Sequence, residues 1–122
     1  MNRPTVAIIG ASADPSKYGN ISIRSHLSEG WDVYPVNPKE TMIDGLKVYR
    51  SVSEIPVPLT RVSIYLPPPI GMKVIEEVAK KGAQEVYLNP GSDSDELVEK
   101  ARALGLNVVI ACSITQSRPP KS

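Results

Sequence analysis

The chain is poor in the residues that build disulfide-linked proteins and metal sites. Its 122 residues include one cysteine, one histidine and no phenylalanine. Because Cys112 has no second cysteine to pair with, an internal disulfide framework is excluded, and the composition fits a reducing cytoplasm. One histidine and one cysteine cannot make a four-ligand centre without carboxylates, so the sequence predicts no metal site.

Long apolar runs and an excess of one charge are missing as well. No run approaches the roughly 18 residues of a membrane span, and the apolar segment near the start is too short for the core of a secretory leader. The formal net charge is +1, which provides no global field to gather nucleic acid or membrane lipid. We therefore expect a cytoplasmic protein whose partners include neither nucleic acid nor a membrane.

The residues that are present are those of one globular domain. At 122 residues, of which 41% are hydrophobic and 22% charged, the chain can bury one core but is short for a two-domain enzyme. We predict one domain over residues 1–115 and a polar tail over residues 116–122, which we expect to be disordered.

Short apolar runs alternate with amphipathic stretches along the chain. The apolar runs predict strands at residues 5–9, 31–36, 61–66, 83–88 and 106–111. Helical spacing predicts helices over residues 18–29, over residues 70–82 and after the loop that begins at residue 89. The irregular interval 39–58 is expected to hold a short strand at residues 47–49 and a helical turn near Ser53. This order predicts an α/β fold with a single doubly wound, parallel five-stranded sheet of the Rossmann-like kind.

The apolar spacing also predicts which side of each helix faces the core. Asp93, with Glu96 three residues later, is expected to cap the third helix. The side chains expected to point inward are Ile23 and Leu27 in the first helix, Val74, Ile75, Val78 and Ala79 in the second, and Leu97, Val98, Ala101 and Leu104 in the third.

Four segments of unusual composition lie at the ends of predicted strands. They read "GASADPSKYGN" from Gly10, "VNPKE" from Val36, "LPPP" from Leu66 and "NPGSD" from Asn89. In a doubly wound sheet, ligands bind at the carboxyl ends of the strands, near the point where the strand order reverses. The sequence therefore predicts a ligand site where these segments converge.

The first of these segments has the composition of a phosphate-binding loop. Gly10 permits a tight turn, small residues let backbone amides approach a ligand, and the following helix directs its positive end to the same place. Ser12 adds a hydroxyl and Lys17 a full charge. The glycine spacing is not GxGxxG and no GK[ST] occurs, which disfavours a nucleoside triphosphatase. A simple turn between strand and helix is the alternative.

The end of the second strand narrows the ligand class. A site for NAD has an acidic residue there, which holds the ribose 2′-hydroxyl. This chain has Asn37, Pro38 and the cation Lys39 instead, which favours a phosphate on the adenosine ribose and therefore either NADP or coenzyme A. The alternative is an ordinary Asn-Pro turn followed by a solvated lysine.

Five stretches together carry a resemblance to a known family. "VAIIGASADPSKYGN", "DVYPVNPKE", "GLKVY", "YLPPP" and "LNPGS" resemble, in this order, the small stand-alone CoA-binding proteins. The same fold forms the N-terminal nucleotide-binding domain of the succinyl-CoA synthetase α-subunit. The likeness covers residues 5–113.

The resemblance implies a role for each loop. Ser12 and Lys17, with the amides around Gly10, would hold the CoA phosphates, and Asn37 to Lys39 would flank the phosphorylated ribose. Leu66 and Pro67 would line the adenine pocket, and the loop from Asn89 would face the pantetheine arm. The implied cofactor-binding residues are Gly10, Ala11, Ser12, Ala13, Lys17, Tyr18, Asn37, Pro38, Lys39, Leu66, Pro67, Asn89, Pro90 and Gly91.

No residue pattern indicates catalysis. His26 falls in the first predicted helix and is expected on the surface. Cys112 is expected to be a small buried hydrophobe; a mixed disulfide with the CoA thiol is the alternative. No Ser/His/Asp order or carboxylate pair is found, so no catalytic residue is predicted.

The sequence predicts a small protein that binds coenzyme A or an acyl-CoA without chemistry of its own. One alternative is an NADP-dependent oxidoreductase, although the chain has no room for a second substrate region. Another is a nucleotide-sensing subunit of a larger acyl-CoA-handling complex. The expected partners are accordingly a small nucleotide ligand, with a second copy of the chain or an enzyme subunit as further candidates.

Overall fold

A parallel sheet flanked by helices on both faces forms the core of the protein. The structure is a computed structural model that describes residues 3–120, and it confirms the predicted α/β fold class. Its elements in chain order are β1 (Thr5–Ile9), α1 (Tyr18–Ser28), β2 (Asp32–Val36), β3 (Met42–Ile43), β4 (Leu46–Lys47), a 3-10 turn (Val52–Glu54), β5 (Leu59–Ile64), α2 (Pro68–Lys81), β6 (Ala83–Leu88), α3 (Asp95–Ala103) and β7 (Val108–Ile110).

The strand order contains one reversal, and it lies at β1. The five strands are arranged β2-β1-β5-β6-β7, and every neighbouring pair is parallel. The chain leaves β1 for β2 on one side and later returns to place β5 on the other side. Ligands bind at such a reversal, outside the carboxyl ends of the two strands. The fold therefore predicts a ligand site at the carboxyl ends of β1 and β5.

Alternation along β1 separates the two halves of the core. Ala7 and Ile9 pack with the cluster beneath α2 and α3, whereas Val6 and Ile8 pack with the cluster that contains Ile23 of α1. All four β1 side chains are buried because helices cover both faces of the sheet. No helix within residues 3–120 has the length and apolar character needed to cross a membrane.

The interval between β2 and β5 forms a small hairpin. β3 and β4 pair antiparallel through a turn in which Asp44 and Gly45 both have positive φ, 50° and 79°. Tyr49, in the predicted strand 47–49, makes an isolated parallel bridge to Val36 of β2. The hairpin therefore extends the sheet region beyond its β2 edge, next to the end of that strand.

Two helix starts differ from the prediction. The second helix begins at Pro68, before the expected residue 70, because proline suits the first turn of a helix, where its missing N–H is not needed. The third helix is capped by Ser94, whose Oγ accepts a hydrogen bond from the backbone N–H of Leu97 at 3.1 Å. The prediction that Asp93 is the cap was wrong by one residue.

Two of the leucines expected to face inward are exposed. Leu27 is 38% and Leu104 40% exposed, whereas Ile23, Ile75 and Leu97 are fully buried. Leu104 follows the last residue of α3, so its side chain does not continue the apolar face of that helix. In α1 the neighbour of Leu27, His26, takes the buried position.

The burial of His26 corrects the expectation of a surface histidine. Its ring is fully buried and lies edge-on to Trp31, with ring centroids 5.2 Å apart. Nδ1 lies 2.8 Å from the carbonyl oxygen of Ser22, and Nε2 lies 3.1 Å from Nη1 of Arg61. A carbonyl only accepts and a guanidinium only donates, so the imidazole is neutral with its proton on Nδ1.

Arg61 is the centre of this buried cluster. Its Nε donates to Glu85 Oε1 at 2.6 Å, and its guanidinium lies between the rings of Trp31 and Tyr87, 4.6 and 4.3 Å from their centroids. The flanking rings and the carboxylate stabilise a charge that would otherwise be costly to bury.

The same cluster holds residues that the sequence placed in a disordered tail. Nη1 of Arg61 donates to the carbonyl of Gln116 at 2.7 Å, and Nε1 of Trp31 donates to the carbonyl of Ser117 at 2.6 Å. Gln116 and Ser117, within the tail expected to be disordered, thus have their carbonyls bound by buried donors, Arg61 of β5 and Trp31 just before β2. Residues 121 and 122 of that tail, like residues 1 and 2, lie outside the described residues.

The free energy of unfolding should fall as the pH drops below the pKa of an ordinary histidine. Burial, together with the charge of Arg61, lowers the pKa of His26 from 6.5 to about 4. Between these values the unfolded chain binds a proton that the folded protein does not, so folding stability decreases as the pH falls from about 6.5 to about 4. The contribution is on the order of 3 kcal/mol.

Urea unfolding at a series of pH values measures this effect. The matched variant is His26→Gln, whose side-chain oxygen can still accept from Arg61 but does not titrate. We expect its stability to change less than that of the parent protein over this interval. Equal pH dependence of the two proteins would contradict the assignment.

Candidate functional site

The four loops singled out in the sequence lie along one edge of the sheet. They follow β1, β2, β5 and β6, which are parallel and adjacent, so their carboxyl ends meet at this edge. Tyr65 binds the end of β1 directly, because its backbone N–H donates to the carbonyl of Ile9 at 2.8 Å. The crevice between β1 and β5 is the candidate site.

Two glycines allow the backbone to pack closely at the end of β1. Gly10 has φ of +87°, and a Cβ on it would lie 2.7 Å from the carbonyl oxygen of Tyr65. A Cβ on Gly19, in the first turn of α1, would lie 2.3 Å from the carbonyl oxygen of Gly10. Both positions exclude a side chain: Gly19 lets the start of α1 lie against the end of β1, and Gly10 lets the end of β1 lie against the end of β5.

Backbone amides in this region remain available to a ligand. Within residues 3–120, the amides of Ser12, Ala13, Tyr18 and Gly19 donate to no other protein group, and Lys17 caps α1 without a side-chain hydrogen bond. Ala13, Lys17 and Tyr18 are exposed, with Tyr18 70% exposed. The amino end of α1, its partial positive charge and the Lys17 ammonium group thus lie at the same loop.

The acidic residue of this loop is engaged within the loop itself. Asp14 Oδ1 accepts from the backbone N–H of Ser16 at 2.9 Å and from its hydroxyl at 2.8 Å. The Ser16 amide, then its hydroxyl, lowers the pKa of Asp14, so the carboxylate stays charged. Ser12 Oγ accepts from the Asp14 amide at 3.1 Å and keeps its own proton to donate.

The Asn37 side chain joins the second loop to the first. Its Nδ2 donates to the carbonyl of Ala11 at 2.8 Å, and its Oδ1 accepts from the amides of Lys39 and Glu40 at 2.7 and 3.1 Å. These bonds fix the turn that holds Pro38 and Lys39, both of which are exposed. Ala11 is 2% exposed, so its side chain is buried and it takes part in the loop through its backbone carbonyl.

The loops after β5 and β6 differ in what they expose. Leu66 is half-buried and packs against the core, and Pro67 is exposed at the cap of α2. Asn89 is 1% exposed, whereas Pro90 and Gly91 are exposed. Nδ2 of Asn89 donates to Ser63 Oγ at 2.8 Å and to the carbonyl of Ile64 at 2.9 Å, and its Oδ1 accepts from the amide of Ser113 at 2.8 Å. Asn89 therefore holds the strand ends together.

A polar network beneath the crevice was not predicted. Ser113 Oγ lies 2.6 Å from Ser63 Oγ and 2.8 Å from the hydroxyl of Tyr65. The alternation Arg61, Ser63, Tyr65 in "RVSIYL" is the signal that could have revealed it, because alternate residues share one face of a strand. Cys112, expected as a buried hydrophobe, is half-buried beside this network. Residues 3–120 contain no group of three or more side chains of the kind that bind metal ions.

Comparison with known proteins identifies the family. The sequence matches the CoA-binding domain model over residues 4–117. The chain belongs to the CoA-binding domain family. The resemblance stated from the strand-end loops is thereby confirmed.

Relatives in this family include parts of larger proteins. The chain is 33% identical over 116 residues to the alpha subunit of ADP-forming acetate–CoA ligase II from Pyrococcus furiosus, which covers 85% of this chain and 25% of that subunit. The alpha subunit of acetate–CoA ligase I from the same organism is 34% identical over 124 residues, 88% of this chain and 27% of that subunit. This chain thus spans about a quarter of the length of the curated relatives it matches.

Solved structures share the fold over nearly all of this chain. A conserved hypothetical protein from Pyrococcus furiosus has a TM-score of 0.82 at 33% identity, covering 94% of this chain and 99% of that one. A dinucleotide forming acetyl-coenzyme A synthetase 1 from Candidatus Korarchaeum cryptofilum, in complex with phosphate and ADP, has a TM-score of 0.75 at 31% identity, covering 90% and 26%. The fold therefore occurs both in a chain of similar size and within a longer one.

Gly19→Ala should destabilise this CoA-binding domain. Replacing a helical glycine by alanine ordinarily stabilises a protein, by up to roughly 1 kcal/mol. At Gly19 the new methyl would clash with the backbone of Gly10, 2.3 Å away, so we expect a loss of about 2 kcal/mol or more in urea unfolding.

Gly71→Ala is the matched control for this prediction. Gly71 is also buried in a helix, but its added methyl would meet only the two terminal methyls of Leu97, the nearer 2.9 Å away, at the end of a side chain that can rotate aside. We expect Gly71→Ala to stay within about 1 kcal/mol of the parent protein. If the two variants are equally stable, the contact between α1 and β1 leaves room for a methyl group, and the prediction is wrong.

Proposed function

We propose that the chain binds coenzyme A, or an acyl-CoA, in the crevice between β1 and β5 and provides no catalytic residue there. Membership of the CoA-binding domain family over residues 4–117 is the observation that carries the proposal. The geometry supports it, because the loops expected to contact the ligand lie together at the carboxyl edge of the sheet.

The first loop fits a pyrophosphate without needing a side chain at every contact. Beside the close packing at Gly10 and Gly19, the amides of Ser12 and Ala13 donate to no protein group within residues 3–120. Amides at a helix start bind phosphate oxygens through hydrogen bonds and the helix dipole. Lys17 adds a full positive charge at the same end of α1. The donors present are thus those that a diphosphate requires.

The second loop suits a phosphorylated ribose. Lys39 is exposed on the turn that Asn37 organises. An ammonium group in this position would attract a 3′-phosphate, which coenzyme A carries and dephospho-CoA lacks. Glu40, the nearest acid in sequence, has its amide fixed by Asn37, so its backbone belongs to the same turn. NADP, which carries a 2′-phosphate, is the competing ligand that an experiment must include.

In a second candidate function, the chain is the nucleotide-binding subunit of a larger enzyme. The relatives that it matches include subunits of acetate–CoA ligases, of which it spans about a quarter. The chain would then bind the nucleotide part of the substrate while another polypeptide supplies the catalytic groups. Copurification of a partner that depends on added CoA is the observation that would favour this role.

Ligand binding should follow the chemistry of coenzyme A. We expect the thermal midpoint to rise with CoA and acetyl-CoA, and less with dephospho-CoA, NADP or NAD at equal concentration, because a ligand that binds only the folded state stabilises it. Lys17→Ala should weaken CoA binding by about tenfold or more, since a charge-assisted contact to phosphate is lost.

Lys80→Ala is the control for the loss of one positive charge. Lys80 is exposed in the last turn of α2, whereas the crevice lies near the first turn of that helix. We expect this variant to bind CoA like the parent protein. A response to NADP equal to or greater than that to CoA would overturn the proposal, as would no response to any of the nucleotides.

Lys39→Ala tests the ribose phosphate separately. If Lys39 interacts with the 3′-phosphate, its removal should weaken CoA binding about threefold to tenfold and leave dephospho-CoA binding unchanged. Titration calorimetry with both ligands on both proteins gives the coupling between the side chain and the phosphate. An equal loss for the two ligands would show that Lys39 acts elsewhere.

A further inference from the structure

One buried asparagine outside the predicted contacts connects three segments around the first loop. Asn20 is 1% exposed, and its Nδ2 donates both to the carbonyl of Ser12 at 2.8 Å and to Asp44 Oδ2 at 3.1 Å. Its Oδ1 accepts from Nε of Arg24 at 2.9 Å. A single amide on α1 thus holds the loop after β1 and the β3–β4 turn, while Arg24 orients it.

Arg24 holds the same loop at a second point. Its Nη2 donates to the carbonyl of Pro15 at 2.8 Å, so the guanidinium bridges Asn20 and the far arm of the loop. Two side chains on adjacent turns of α1 therefore bind two carbonyls of the loop, at Ser12 and at Pro15. We call this pair, Asn20 and Arg24, the loop clamp.

The loop has little else to fix its shape. Residues 13–17 are all exposed, so no side chain between them packs in the core. Asn37 and Val36 hold the loop at Ala11, just before this segment. Within residues 12–16 the remaining bonds, such as that from Ser16 to Asp14, lie within the loop and do not attach it to the sheet. An exposed segment without packing contacts is mobile unless hydrogen bonds hold it.

We propose that Asn20 and Arg24 are positioning residues that hold the loop of residues 12–16 in its ligand-binding shape. The inference rests on the proposed CoA binding, which uses the amides of this loop. Ordering a mobile loop at the moment of binding would reduce affinity, and a loop that is already ordered avoids that loss. The clamp residues act through the loop and are not assigned a contact with the ligand.

The main rival explanation is that Arg24 interacts with the ligand phosphates through its charge. Arg24→Lys separates the two, because lysine keeps the positive charge but cannot donate to Asn20 and Pro15 in the fixed fork of a guanidinium. Salt dependence gives a second criterion. Loss of a cation that contacts phosphate reduces the effect of salt on affinity, whereas a change in loop order does not.

The experiment compares the parent protein with Asn20→Ala, Arg24→Lys and Arg24→Gln. CoA affinity is measured by titration calorimetry at two salt concentrations. Hydrogen exchange of the Asp14, Ser16 and Lys17 amides, which are bonded within the loop, is measured in the free protein. Asn107→Ala is the control, because Asn107 also donates a side-chain amide to a carbonyl, that of Gln84, but at the amino ends of β6 and β7.

We expect Asn20→Ala and Arg24→Lys each to weaken CoA binding about tenfold with an unchanged salt dependence. The three loop amides should exchange faster in the free variants, while amides of β1 and β5 keep the protection seen in the parent protein. Asn107→Ala should bind CoA normally and leave loop exchange unchanged.

Two results would overturn the proposal that Asn20 and Arg24 position the loop. Parental affinity and parental loop exchange in Asn20→Ala would show that the loop is held without it. Parental affinity in Arg24→Lys, with weaker and less salt-dependent binding in Arg24→Gln, would show that Arg24 acts by charge. If the parent protein binds no CoA, the proposed function fails by itself, and loop exchange in the free variants still decides whether Asn20 and Arg24 order the loop.

Discussion

The close approach of α1 to the end of β1 is the constraint on which the candidate site depends. The two backbones meet at Gly19 and Gly10, where even one methyl group would lie 2.3 Å from a carbonyl oxygen. This contact directs the positive end of α1 at the crevice and leaves the loop of residues 12–16 at the surface. A larger residue at Gly19 would move the helix away from Gly10, and one at Gly10 would clash with the backbone of Tyr65, so either change would displace the amides that a phosphate would bind. The site is therefore built first from backbone and only then from side chains.

The two faces of the sheet are stabilised in different ways. The face beneath α2 and α3 is an ordinary apolar core, with Ile64, Ile75 and Leu97 fully buried. The opposite face, beneath α1, buries Arg61 and His26 and satisfies their polar atoms with Glu85, Gln116 and Ser22. Within residues 3–120 no buried side-chain nitrogen or oxygen lacks a partner, so the cost of burying these groups is largely offset. This arrangement also attaches the end of the described chain to the sheet.

Local patterns were sufficient to predict the five strands of the parallel sheet, the three helices and the loops that meet at the crevice. Apolar runs such as "VAIIG" and the glycine and proline punctuation around them depend on neighbours in sequence. Local errors were confined to helix ends, as at Pro68 and Ser94, whereas the larger ones occurred where a residue depends on a distant partner. His26 is buried beside Arg61 of β5, which donates to it, and Gln116 contacts the sheet because Arg61 and Tyr87 donate to it. No local pattern in α1 or in the last residues contains that information. Asn20 was overlooked for the same reason, because Ser12 and Asp44 come together only in the fold.

Asn37 has a structural role that also explains why no acid follows β2. The lack of an acid after β2 was interpreted as a feature of the ligand, since an NAD site has a carboxylate there. In the structure Nδ2 of Asn37 donates to the carbonyl of Ala11, which a carboxylate cannot do because it has no proton to give. Its Oδ1 meanwhile fixes the amides of Lys39 and Glu40. The neutral amide is thus required by the hydrogen bond that joins the first two loops, and in the proposed function the charge that would distinguish one nucleotide from another is that of the exposed Lys39.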